Sequence, residues 1–228
     1  MSHEERINMI IEKFDEKYYK YISDLQLSQQ QLSQVQIHTY EYKEYVIHED
    51  DAINALKIII SGNAKVTISA HNGKTLLLSF YKGFGVIGDV EFLSGEDATC
   101  NVIALSDLKL ISIPYTILSN NLKQIDKQMH FLFRDLSYKL RNSSKQAVIN
   151  NLYTLTNRVC GYIASTNYKN YFDENLTETS ESLGTSYRHL LRVLKDLCDK
   201  KVLERVEKGI YKILDLDKLD ELSDGCYR

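Results

Sequence analysis

Two arginines one helical turn apart, Arg188 and Arg192, open the stretch TSYRHLLRVLKDLCDKKVLERVEKGIYKIL, which runs from Thr185 to Leu214. A guanidinium fork pairs in bidentate fashion with O6 and N7 of guanine. Tyr187 and His189 beside them can meet bases or phosphates. Lys195 lies one turn further on, and Lys208 falls in a Glu207-Lys208-Gly209 turn where an ammonium can reach a phosphate. Between Tyr187 and Lys212 eight basic residues face four acidic ones, a local +4 in a chain whose formal net charge is -3. The chemistry is that of a local nucleic-acid contact rather than of a generally basic protein.

Such side chains need a helix to aim them. Leu190, Val193, Leu194 and Leu197 recur every three or four residues. They predict a buried stripe, with Tyr187, Arg188, Leu191, Arg192 and Lys195 on the opposite side. Ser186 is the expected N-cap. Upstream, LTETSESLG reads as a shorter helix with Thr177 as its cap, Ser180 small at the helix–helix approach and Gly184 at the turn. Downstream, VLERVEKGIYKIL reads as two short strands. Helix, turn, helix and hairpin in this order predict a winged helix-turn-helix. LYTLTNRVCGYIAST is a further amphipathic helix, and NYKNYFDEN reads as a loop.

The chain has 228 residues, 43% hydrophobic and 26% charged. That composition predicts a globular chain with room for two domains. From about Val35 the runs VQIHTYEYKEYVIHE, ALKIIISG, NAKVTISAHNG, KTLLLSFYKG, FGVIGDVEFLSG and TCNVIALSDLKLISIP are short, rich in β-formers and bounded by turn residues. They predict a small β-sandwich or barrel, with a two-residue hairpin turn at Asn72-Gly73 in which both residues take positive φ. Met9, Ile10, Phe14, Tyr18 and Ile22 predict a short amphipathic helix before it, and LSQQQLSQ is either a short helix or a loop. After Pro114 the chain runs without glycine or proline through Ile125, Met129, Leu132, Phe133, Leu136 and Leu140, which predicts one long helix. Its stripe can pack on the β-domain or form a seam with a second copy, and the seam is favoured. The expected divisions are 1–119, 120–150 and 151–228.

Cys100, Cys160, Cys198 and Cys226 are widely spaced, which favours isolated reduced thiols over a zinc or iron–sulfur site. His38, His48 and His71 are metal or haem ligands by type only. The sequence has no H-x-H pair and no nucleophile–base–acid set, so neither a metal site nor a catalytic residue is expected. The N-terminus MSHEERINMIIEKF has neither a signal-peptide nor a membrane-span pattern, and a cytoplasmic, non-membrane protein is expected.

Taken together, the order of elements resembles the Crp/Fnr family of bacterial transcription regulators. GVIGDVEFLSG is similar to that family's phosphate-cassette segment, and LGTSYRHLLRVLKDLCDKKVL to its recognition region. The SYRHLL variant, with TNRV at Thr156–Val159, resembles the YeiL-type branch. The resemblance covers about Gln36 to Leu214. It implies an α+β architecture: an N-terminal β-roll like a cyclic nucleotide-binding domain (a double-stranded β-helix), a long dimerisation helix and a C-terminal winged helix-turn-helix. It implies double-stranded DNA, a second copy of the chain and RNA polymerase as partners. The family's base-reading positions fall on Tyr187, Arg188 and Arg192, and only Arg192 keeps the family's residue type.

The sensor departs further. Asp89 stands where the cyclic-AMP branch has a ribose-binding Glu, and Thr99 at its Ser/Thr position. Ala98 replaces the phosphate-binding Arg. Loss of that charge-assisted partner argues against cyclic AMP. No cofactor is evident; an effector of another kind would sit among Gly88, Asp89, Val90, Thr99, Ser143 and Ser144. The competing reading is a small-molecule-binding β-roll protein, a sensor or a metal-dependent cupin-like enzyme, whose helical domain does not read DNA.

Overall fold

The computed structural model describes residues 9–118 and 122–227. In chain order its elements are β1 (Ile10–Lys13), α1 (Gln29–Leu32), β2 (Gln36–Tyr40), β3 (Tyr45–Ile47), β4 (Ala55–Ser61), β5 (Asn63–Ser69), β6 (Thr75–Lys82), β7 (Gly85–Ile87), α2 (Asp89–Ser94), β8 (Asn101–Ala104) and β9 (Leu108–Pro114). Then follow α3 (Leu122–Leu152), α4 (Leu155–Thr166), β10 (Tyr171–Phe172), α5 (Leu176–Ser182), α6 (Tyr187–Asp199), β11 (Leu203–Glu207), β12 (Ile210–Ile213) and α7 (Leu216–Ser223). Two compact units emerge. One holds the chain up to Lys65 with Tyr81–Arg141, the other Val66–Phe80 with the chain from Asn142.

In the first unit an antiparallel sheet has the order β1-β2-β9-β4-β7. Strand alternation puts Ile37, Leu56, Ile58, Val86, Ile111 and Ile113 on one face. That face is sealed by Ile22, Leu25 and Val35 before it and by Phe131 and Leu132 of α3. β3 and β8 pair in a second sheet, completed by the bases of β5 and β6.

Local expectations are corrected in four places. The predicted N-terminal helix is instead the edge strand β1, paired with β2 from Ile10↔Thr39 to Lys13↔Gln36, followed by 3-10 turns at Glu16–Tyr21 and Ser23–Leu25. Strand pairing wins because Ile10 and Ile11 are both exposed and form no helical core stripe. The run read as one strand through GVIGDVEFLSG breaks at Gly88. DVEFLS forms the short helix α2, between left-handed glycines at Gly88 (φ 87°) and Gly95 (φ 72°). The turn of the β5–β6 hairpin involves three residues, His71–Gly73, with only Gly73 at positive φ (78°). Ala70 N–H donates to Lys74 O (2.7 Å) and Gly73 N–H to Ala70 O (2.8 Å). Within the segment read as a loop, Tyr171 and Phe172 form β10, a third strand on the C-terminal hairpin. LSQQQLSQ, left as helix or loop, contains α1, closed by a reciprocal Ser28–Gln31 capping box.

The second unit is mainly helical. Val159, Tyr162, Ile163, Phe172, Leu190 and Leu194 centre its core, to which the β5–β6 hairpin contributes Leu77. Phe80 meets the Tyr227 ring edge-on at 5.4 Å.

Candidate functional site

Helix α6 follows from its sequence. Leu190, Val193, Leu194 and Leu197 are buried at helical spacing. Each fully buried leucine contributes about 1.5–3 kcal/mol relative to an exposed one. The Ser186 hydroxyl accepts from the His189 N–H (3.3 Å), so the expected cap is present. At α5 the cap is Asn175 rather than Thr177. Its side chain accepts from the Thr177 N–H (2.9 Å) and the Glu178 N–H (3.4 Å), because an Asn oxygen one residue before the helix reaches both free amides.

The α5–α6 turn depends on Gly184 at φ 59°. Its N–H donates to Glu181 O and the Thr185 N–H to Ser180 O, both at 2.8 Å. Arg158 of α4 adds a bond from Nη1 to Leu183 O (2.8 Å), tying α4 to this turn. Its place in the TNRV segment was visible in the sequence. Its role was not, because a helical arginine looks like a surface residue until its carbonyl partner is known.

The outer side of α6 carries Tyr187, Arg188, His189, Leu191, Arg192 and Lys195, all exposed. β11 and β12 turn at Lys208 and Gly209 (φ 89°), and Lys208 is exposed at the tip. Among the described residues no carboxylate pairs with Arg188, Arg192, Lys195 or Lys208, whereas Lys200 is held by Asp196 (2.7 Å). The stripe and the hairpin tip therefore present cations that no partner among the described residues neutralises.

In the first unit, Asp89 is completely buried at the start of α2. Gly88 before it is required twice over: by its positive φ, and because a Cβ would stand 2.7 Å from Tyr115 Oη and 2.8 Å from Ala55 O. The Tyr115 hydroxyl donates to Gly88 O. Asp89 does not stand alone. Lys139 of α3 donates to its Oδ1 and lies 3.2 Å from Asp135 Oδ2, one helical turn back. The Lys139 ammonium is also 6.0 Å from the Tyr81 ring. Burial works to lower Lys139, but Tyr81, Asp89 and Asp135 outweigh it and raise its pKa. Asp135 is pushed up to about 6, first by burial and further by Asp89, against Lys139 and the Val86 amide.

The other residues expected near an effector are arranged differently. Val90 and Thr99 are exposed. Ala98 is buried, and both its backbone groups are engaged, with Asp50 N–H (2.7 Å) and Asp51 O (2.9 Å). Ser143 and Ser144 are exposed on α3 and belong to the other compact unit. The sequence missed Asp135, Lys139 and Tyr81; an i, i+4 Asp–Lys pair on a long helix was the available signal.

The stripe on α3 divides. Leu132 is buried and Met129 half-buried against the β-roll. Leu136 is half-buried, while Phe133 and Leu140 are 58% and 71% exposed. The side chain of Ile125 lies outside the described residues. On one exposed line, at heptad spacing, stand His130, Phe133, Ser137, Leu140, Ser144, Ala147 and Asn151.

His38 is buried with Nε2 3.1 Å from Gln36 Oε1, and burial followed by Lys57 lowers its pKa to about 4. His48 stacks on Tyr45 at 4.1 Å, and His71 is exposed in a turn. Among the described residues no three His, Cys, Asp or Glu side chains gather as metal ligands, and all four cysteines are free thiols. No helix among them is long and apolar enough to cross a membrane.

Residues 37–124 match the family described as the cyclic nucleotide-binding domain. The chain is 25% identical over 167 residues to the regulatory protein YeiL of Escherichia coli O157:H7, covering 73% of this chain and 76% of that protein. Its fold is similar to that of a protein from Eubacterium rectale assigned to the Crp/Fnr family of transcriptional regulators (TM-score 0.66, 14% identity, 92% of this chain and 95% of that one). It is likewise similar to a CRP-family transcriptional regulator from Thermus thermophilus (TM-score 0.64, 15% identity, 83% and 98%). The α+β architecture and the likeness to Crp/Fnr regulators read from the motifs are thus both found again.

Proposed function

We propose that this chain, with its cyclic nucleotide-binding domain and the fold of Crp/Fnr regulators, is a sequence-specific DNA-binding transcription regulator. It acts as a homodimer on a near-palindromic operator. The single observation that carries this reading is the outer side of α6, where Tyr187 stands exposed beside Arg188, Arg192 and Lys195, which have no counter-ion among the described residues, above a closed apolar face. The N-terminal turns of the second helix of such a motif lie in the major groove. Arg192 and Arg188 then read base edges, and Lys208 meets the phosphate backbone across the hairpin. Tyr187 and Arg188 in place of the family's usual residues give an operator that differs from the family's usual one.

Phe133 and Leu140, exposed one heptad apart on α3, support a parallel seam with a second copy. In such a dimer two recognition helices about 34 Å apart, one turn of duplex, would read the two half-sites. RNA polymerase is the partner through which the bound dimer acts. Cyclic AMP is disfavoured as effector, since the buried Ala98 offers no charge to its phosphate. The test is a titration of labelled duplex with the purified chain at rising salt. Binding whose affinity falls steeply and linearly in the log–log plot supports the reading, and salt-independent or absent binding overturns it.

A further inference from the structure

We propose that the buried carboxylates Asp89 and Asp135, bridged by Lys139, form the binding site for a proton, and that this proton is the effector of the sensor domain. As an effector site it presupposes the regulator reading above; as a proton site it does not.

Asp89 is fully buried and Asp135 is 7% exposed. Lys139 pairs with both. One ammonium between two carboxylates leaves a surplus negative charge in the interior when all three are ionised. Each carboxylate also keeps an Oδ2 that is buried and accepts no hydrogen bond; that of Asp135 lies near the ammonium but outside hydrogen-bonding geometry. A single proton answers the charge deficit. It cancels the surplus charge and turns one carboxylate into a donor.

The surroundings single out Asp135 as the residue that takes it. From β6, Tyr81 and Lys82 face the cluster; from α2, Glu91; after β9, Tyr115. On α3 itself Arg134 is turned to Asp24 (3.2 Å), with Tyr138 beside it. Burial holds both tyrosines above their ordinary values, and Lys139 is also raised. Asp135, raised to about 6, changes charge near neutrality.

The folded pKa lies above the ordinary 3.8. Between those values the folded chain holds a proton that the unfolded chain has released. This group therefore favours the folded state increasingly as pH falls through about 6, levelling off near 4. The gain is at most about a hundredfold in the folding equilibrium. Acid thus tightens the junction of α3 with the β7–α2 turn. α3 runs on from this junction as one continuous helix to Leu152, and that continuity is the route the proposal assigns to the signal.

The test uses the full chain, with Asp135→Asn and the exposed-carboxylate control Asp107→Asn. Carboxyl carbon shifts are followed by NMR, and affinity for a selected operator duplex is measured, both from about pH 5 to 7.5. The expected result is an Asp135 midpoint near 6 that is missing in Asp135→Asn. Operator affinity should change at least about threefold across that range in the wild type and in Asp107→Asn, and stay flat in Asp135→Asn. A midpoint below about 4.5, or the same pH dependence of binding in Asp135→Asn, overturns the proposal. If no duplex is bound at any pH while Asp135 titrates near 6, the regulator reading fails and the proton site stands. Should Asp135→Asn not fold, Asp89→Asn removes the like charge and must lower the Asp135 midpoint; an unmoved midpoint counts against the pair.

Discussion

Arg192 and Lys208 should fail in different ways. Both are exposed, and among the described residues neither has an acidic partner. Replacing either with alanine should leave stability within about 0.5 kcal/mol of the wild type, so a loss of binding reports contact with DNA directly. Arg192 sits in the second turn of α6, where the exposed stripe faces the groove. A bidentate contact to guanine is worth about 1–3 kcal/mol of discrimination, and in a two-fold dimer it is lost twice, about 2–6 kcal/mol in all. That loss should fall on the preferred sequence and spare a scrambled one. Lys208 meets at most one phosphate per protomer. Its removal should lower the slope of log affinity against log salt by about 0.9 per protomer, about 1.8 per dimer, and weaken all duplexes alike. Fluorescence anisotropy on a selected operator and on its scrambled counterpart, over a series of salt concentrations, separates the two. Equal loss on both duplexes for Arg192→Ala would refute its role as a base reader. An unchanged slope for Lys208→Ala would take the hairpin tip off the DNA.

Lys139→Met leaves two buried carboxylates without their cation and should cost about 3–5 kcal/mol above pH 7, seen in urea unfolding. The cost should shrink toward pH 5 as Asp135 takes up a proton, and a pH-independent cost would contradict the ion-pair account. Leu194→Ala, at a fully buried position of α6, should cost about 2–5 kcal/mol; a loss below about 1 kcal/mol would show that the site is not tightly packed. Gly88→Ala should cost more than Gly184→Ala by thermal unfolding. Both have positive φ, but only at Gly88 would the new Cβ meet Tyr115 and the Ala55 carbonyl.

The C-terminal region was the most legible part of the sequence, for a physical reason. The α6 stripe is amphipathic at a single period, its cap is the residue type that caps require, and its hairpin turns at a glycine. Each local signal agrees with the tertiary result. The β-roll strands were readable from their short β-branched runs, but α2 was not. Its six residues look like strand, and its boundaries are set by two glycines whose φ no sequence displays. The α3 stripe gave the helix but not its two faces. Apolar residues every three or four places do not distinguish the face that Leu132 buries on the β-roll from the face on which Phe133 and Leu140 stand exposed. Asp135 and Lys139 show in the sequence only as an i, i+4 pair, and their role was hidden for the opposite reason. Charged residues on a helix read as solvated, and only the fold brings Asp89 to them.

The central claim is that the exposed face of α6 reads sequence in a two-fold complex. The measurement that tests it most directly is selection of bound sequences from random duplex DNA by the purified chain, run in parallel near pH 5.5 and near pH 7.5 to cover both states of Asp135. Enrichment of a near-palindrome with half-sites about 10–10.5 base pairs apart is the predicted result. Pools that remain random at both pH values, with added duplex still bound only non-specifically, would contradict it.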